Sequence, residues 1–206
     1  MLFLLLLTGC FESGSPAFSQ GSAVPITGLP ERFQLVAVQE DGSLSVERGK
    51  LTTIMTVQRR NGIYQVDWDG GDRPTMLLDL LIVAPFPGPN LYLAQAQVRP
   101  GTSQNVSRSV YHYAGIQVSN GHISFSTFMN ASNALNMVPR PGGPIELRGD
   151  TWNFRNADDL VATARSYLDR AGNQAWVVRL RIVATPSDVS RLQREMRERN
   201  ITAPPR

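Results

Sequence analysis

The sequence predicts a β-rich α+β fold, an antiparallel curled sheet or sandwich capped by two C-terminal helices. Three observations carry that expectation. Apolar and polar residues alternate in short segments from Phe33 to Phe154, as in Tyr64, Val66 and Trp68 against Gln65, Asp67 and Asp69, and period two marks a half-buried antiparallel strand. Asp41-Gly42, Asn61-Gly62 and Asn120-Gly121 interrupt these segments; such pairs accept the positive φ that tight hairpins require. From Asn156 the apolar spacing lengthens to three and four residues, then a strand and a second helical stretch follow.

Composition bounds the rest. The 206 residues are 42% hydrophobic and 18% charged, the balance of a globular protein rather than a disordered one. Residues 31–206 suffice for a single domain with a sizeable core. Cys10 is the only cysteine, so no internal disulfide forms and the fold must stand on packing. The net charge of +3 is carried by arginine, since Lys50 is the sole lysine. Neither that skew nor any motif points to nucleic acid as a partner.

The chain begins with an apolar run, Met1 to Leu7, ending in Leu7-Thr8-Gly9-Cys10. It is too short to span a bilayer, which takes about 20 apolar residues. Leu7-Thr8-Gly9-Cys10 resembles the lipobox of bacterial lipoproteins. The resemblance implies a signal peptide over 1–9, cleavage before Cys10, lipidation of Cys10 on its sulfur and amine, and membrane attachment through that anchor. Phe11 follows where an aspartate would retain an enterobacterial-type lipoprotein at the inner membrane, which implies outer-membrane sorting. Residues 10–30, rich in Gly, Ser and Pro, then read as the lipidated cysteine and a flexible tether, with a root-mean-square reach of roughly 25 Å.

The strands follow in order. Phe33 to Gln39 pairs through Asp41-Gly42 with Leu44 to Val46, and Leu51 to Gln58 leads through Asn61-Gly62 to Tyr64, Val66 and Trp68. Asp67 to Asp72 has the acidic look of a calcium loop, but the twelfth position from Asp67 is Leu78 rather than a glutamate, so it reads as a hairpin tip. Met76 to Phe86 suits a core strand or a short buried helix, with Asp79 bound to turn outward or find hydrogen-bond partners. Leu91 to Val98 alternates again. After a polar loop over 99–108, Val110 to Val118 leads through Asn120-Gly121 to His122-Ile123-Ser124-Phe125.

That turn pairs Ser119 with His122 and Val118 with Ile123. His112 and His122 are then about ten residues apart along the strand, too far at roughly 3.3 Å per residue to share one metal. Asn130 to Asn136 suits a helical turn and residues 139–144 a rigid crossing loop. Ile145 to Leu147 and Trp152 to Phe154 are short strands.

Asn156 is a helix N-cap with Asp159 at the third position. Leu160, Ala164, Leu168 and Ala171 form the apolar stripe, and Gly172 stops the helix. Ala175 to Val183 returns to strand. Thr185 to Asp188 then opens a last helix, where Val189, Leu192 and Met196 face one way and Arg191, Arg194, Arg197 and Arg199 interleave with glutamates.

No nucleophile elbow, phosphate loop, dinucleotide fingerprint or Cys-His arrangement is present, and no cofactor is expected. The leading expectation is a non-enzymatic envelope lipoprotein that binds another envelope component, a protein or an anionic lipid head group. Its contact would be a strand edge, an aromatic patch or Arg191, Arg194, Arg197 and Arg199. The alternative is a periplasmic carrier of an apolar ligand lined by residues such as Tyr64, Trp68, Tyr92, Tyr111 and Phe125, against which a closed, filled core would count. The third is an enzyme using dispersed Asp, Ser or His residues.

Overall fold

The computed structural model describes residues 11–39, 43–47, 50–51, 54–69, 76–83, 90–98, 111–126, 128, 145–148, 151–154, 156–176 and 178–183, together with 188, 190–192, 194 and 198. Its strands are β1 Phe11–Ser13, β2 Arg32–Ala37, β3 Val46–Glu47, β4 Lys50–Leu51, β5 Ile54–Arg60, β6 Ile63–Asp69, β7 Met76–Val83, β8 Leu91–Val98, β9 Tyr111–Ser119, β10 His122–Ser126, β11 Ile145–Arg148, β12 Thr151–Phe154 and β13 Val178–Val183. Among the described residues one long helix, α1, spans Ala157–Ala171.

Eight strands close into a ring in the order β2, β5, β6, β7, β8, β9, β10, β13 and back to β2, every pair antiparallel. The β-rich antiparallel class is thus as expected, but the architecture is one closed barrel rather than an open curled sheet or a sandwich. The physical reason lies in β13. It arrives after α1 and pairs with β10 on one side and β2 on the other, which removes the edges those two strands would leave; β1, β12 and β11 continue the sheet outward from β9.

Period two then sorts each strand into an inner and an outer face. Phe33, Leu35, Met55, Val57, Val66, Ile116, Ile123, Phe125 and Leu180 are all at most 6% exposed and form one inner cluster. Their neighbours in the ladders are one another, as in Phe33 opposite Val57, Val57 opposite Val66 and Ile123 opposite Leu180. The outer face of the same strands carries Gln34, Thr56, Gln58, Gln65, Arg179 and Arg181. Apolar inside and polar outside is the reverse of a membrane-spanning barrel.

The outer face is covered where it is apolar. Leu93 and Tyr113, both 0% exposed, pack with Leu160, Ala164 and Tyr167 of α1. Asn156 caps that helix as its sequence predicts, its side chain accepting from the Asp159 N–H at 2.8 Å, and Gly172 ends it with φ 53°. The buried stripe is Leu160, Ala164 and Tyr167, with Leu168 and Ala171 half-buried beside it. Gly115 allows this close approach, because a Cβ there would stand 3.3 Å from Ser126 Cβ and 3.6 Å from Leu168 Cδ1. Leu192 of the last helical stretch leans on Val36 and Val183.

Residues 11–30 correct the expectation of a flexible tether. β1 joins the sheet between β9 and β12. The chain then reverses and climbs the outside of β8 and β9. The Ala17 N–H donates to the Tyr113 hydroxyl at 3.1 Å, and Phe18 exchanges two hydrogen bonds with the Gln95 amide at 2.9 and 3.2 Å. Gly, Ser and Pro supply the bends of a strap here rather than the freedom of a linker, because its backbone polar groups find partners on the barrel.

Candidate functional site

The strap ends on the mouth of the barrel. Two hairpin turns open at that end, Asn61-Gly62 and Asn120-Gly121, beside the end of β7 and the start of β8. The first is a tight hairpin with φ 51° and 82° at its two residues, values that suit Asn-Gly. Gln20 Nε2 donates to the Asn61 carbonyl at 2.8 Å and the Val24 N–H to the Ile82 carbonyl at 2.9 Å. The chain then dips inward and seats Ile26, 5% exposed, among the inner side chains.

Two tyrosines hold it there. Tyr64 and Tyr92 are the second residues of β6 and β8, so both stand one step below the rim on the inner face. The Ile26 N–H donates to the Tyr64 hydroxyl at 2.9 Å and the Thr27 N–H to the Tyr92 hydroxyl at 3.2 Å. Gly28 at φ 80° turns the strap back toward β2.

Beneath Ile26 lies a cavity of about 20 Å3, walled by apolar residues that include Phe33, Met55, Val66, Ile82 and Phe125. Water needs two to four polar partners to occupy such a space, and the walls offer none, so the cavity is dry. Arg59 brings a charge to the inner face of this rim, its backbone N–H donating to the Glu31 carbonyl at 2.7 Å. It continues the inner-face alternation Met55, Val57, Arg59 and lies opposite Tyr64, with its guanidinium carbon 6.0 Å from the centre of the Tyr64 ring. Its Nε is buried and has no hydrogen-bond partner among the described residues.

Toward the other end of the barrel, His112 faces inward opposite Ala96 and is 5% exposed. Burial lowers its pKa from 6.5 to about 4, so it is neutral at pH 7. His122 pairs with Ser119 at the far end of β9, in the register read from the sequence. No group of three or more metal-binding side chains occurs among the described residues.

The residues singled out from the sequence fall in different places. Tyr64, Tyr92 and Phe125 line the barrel, whereas Tyr111 packs in the outer cluster under α1. Asp67 lies within β6 rather than at a hairpin tip, and Asp79 sits on the outer face between Gln65 and Gln97. Arg191 and Arg194 are exposed, with Arg191 NH2 3.3 Å from Asp188 Oδ1. Cys10, Arg197, Arg199, the helical turn over 130–136 and the crossing loop lie outside the described residues. Ile26 and Arg59 were missed. Arg59 was legible as the third member of an inward alternation, while Ile26 had no periodic context at all. No family model, curated protein or solved structure matches this chain.

Proposed function

We propose that this protein is a lipoprotein anchored through Cys10 at the outer membrane, facing the periplasm, and that its barrel is a non-enzymatic carrier of an apolar ligand. With Ile26 seated the closed barrel is filled but for about 20 Å3, which counts against a ligand held in this state; what supports the carrier reading is that this roof belongs to a strap rather than to a strand. In the closed state the chamber admits nothing larger than a water-sized guest, so the ligand takes the place of Ile26. The groups gathered around it bind rather than react: hydrocarbon walls, two hydroxyls and one guanidinium. The test is to produce the full chain with Cys10→Ser, incubate it with total envelope lipid extract, and identify what co-purifies by mass spectrometry. A discrete apolar species released on unfolding supports the carrier; lipid in the same proportions as the extract overturns it.

A second reading has its own observation. Leu192 turns inward while Arg191, Arg194 and Glu198 stay in solvent, Arg191 beside Asp188, which leaves a charged helix face open to an envelope protein or an anionic head group. In-cell crosslinking of the anchored protein, with Arg191→Glu and Arg194→Glu as the comparison, tests it. Loss of a discrete captured partner supports this reading, and unchanged capture excludes the helix as the contact.

A further inference from the structure

The barrel wall is not equally fixed all round. Every strand that lines the chamber is held by ladders on both sides, whereas the strap over 23–29 crosses the mouth outside any ladder. It is held there by the Val24, Ile26 and Thr27 N–H groups. Two of those three bonds end on tyrosine hydroxyls. When the strap lifts, Ile26 leaves the chamber, and the Tyr64 and Tyr92 hydroxyls become free to donate or accept at its rim. Arg59 stands over the Tyr64 ring with its Nε already unsatisfied, and an unsatisfied guanidinium donor is best met by a planar carboxylate. A carboxylate at the rim continues below into a space that accepts only hydrocarbon.

We propose that the mouth formed by Arg59, Tyr64 and Tyr92, with the chamber under Ile26, binds a single-chain alkyl carboxylate and is gated by the 23–29 strap. The inference rests on the carrier reading and specifies its ligand class and its way in. The acyl chain displaces Ile26, so association requires the strap to move. The head group remains at the rim, where Arg59 and the two hydroxyls hold it.

A reversible lock tests the gate. A Cβ placed on Gly62 lies 3.2 Å from the Cβ of Ala23, a few tenths of an ångström short of the usual disulfide span of about 3.5–4.5 Å. Gly62→Cys with Ala23→Cys, in the full Cys10→Ser chain, therefore pins the strap when oxidised and frees it when reduced. Decanoate and decanol are titrated calorimetrically against both states and against Arg59→Gln. The expected result is binding of decanoate to the reduced form, at least tenfold weaker binding to the oxidised form, and a tenfold loss for decanoate but not decanol in Arg59→Gln.

Equal binding to oxidised and reduced forms overturns the gate and leaves the carrier reading standing. An unchanged ratio of decanoate to decanol in Arg59→Gln overturns the carboxylate assignment. Absence of binding by either probe to the unsubstituted barrel overturns the carrier reading and the inference together.

Discussion

Ser13 and Tyr113, one hundred residues apart, share a hydrogen bond of 2.5 Å between their hydroxyl groups. Its direction follows from the neighbours. The Tyr113 oxygen accepts from the Ala17 N–H and the Ser13 hydroxyl donates to the Ser15 carbonyl, so Tyr113 donates to Ser13. One phenol thereby ties both limbs of the strap's lower bend to β9. Tyr113→Phe leaves the Ala17 N–H and the Ser13 oxygen without that partner, and buried polar groups left unmade cost about 1–3 kcal/mol. Urea denaturation at pH 7 measures the loss.

The same phenol sets an alkaline limit. Burial, above all, raises the Tyr113 pKa from its ordinary 10.0. The unfolded chain therefore gives up this proton first, and stability present below pH 10 is lost as pH rises through the folded value. The urea midpoint of the native protein should fall more steeply between pH 9.5 and 11 than that of Tyr113→Phe. Parallel curves would exclude Tyr113 as the source.

His112 sets the acid limit with the opposite sign. Its folded pKa of about 4 lies below the ordinary 6.5, so the unfolded state takes up the proton first. Stability intact above pH 6.5 declines as pH falls toward 4, by about 3 kcal/mol when complete. His112→Gln should flatten this slope whatever its effect at neutral pH. Denaturation midpoints at pH 7.5 and 4.5 make the comparison.

Gly115 should resist any side chain. Alanine places its Cβ 3.3 Å from Ser126 and 3.5 Å from the Phe128 ring. Valine adds two methyl groups to that contact and should cost about 1–3 kcal/mol by overpacking. Phe128 cannot easily yield, being 0% exposed and already at φ 55°, a strained region for a bulky residue. Thermal denaturation of Gly115→Ala and Gly115→Val should rank them in that order.

Arg191→Glu with Arg194→Glu should leave stability within about 0.5 kcal/mol, since both side chains stand in solvent. Any loss of partner capture in that variant then reports on contact rather than on folding. A fall in the urea midpoint well beyond that margin would void the comparison.

What the sequence made legible was local. Asn61-Gly62 and Asn120-Gly121 fix two hairpins because their turn chemistry admits one geometry, and the pairing of Val118 with Ile123 follows by counting. Asn156 and Gly172 bound α1 for the same reason. Closure of the barrel was not legible, because alternation in β13 names its two faces but not the strands on either side. The strap was hidden for a different reason. Its bonds run to side chains such as Tyr64, Tyr92, Tyr113 and Gln95, remote in sequence, and a Gly, Ser and Pro composition reads the same whether the segment is docked or free. Tyr167 was passed over because the smaller Leu168 beside it completed a plausible stripe.

The seam between β2 and β13 bears on how this chain comes to be folded at all. Ala37 meets Leu180 there, one strand from near the start of the chain and one from near its end. No ring exists until almost the whole polypeptide is available to complete it. Until then β2 and β10 are open edges, the templates on which chains aggregate. Joining such distant segments is slow, because loop closure must come before the contacts that reward it. A chain built this way stays unclosed while it emerges and closes only when β13 becomes available to pair with β10 and β2. Loss of the last thirty residues would leave a barrel with a permanent slit.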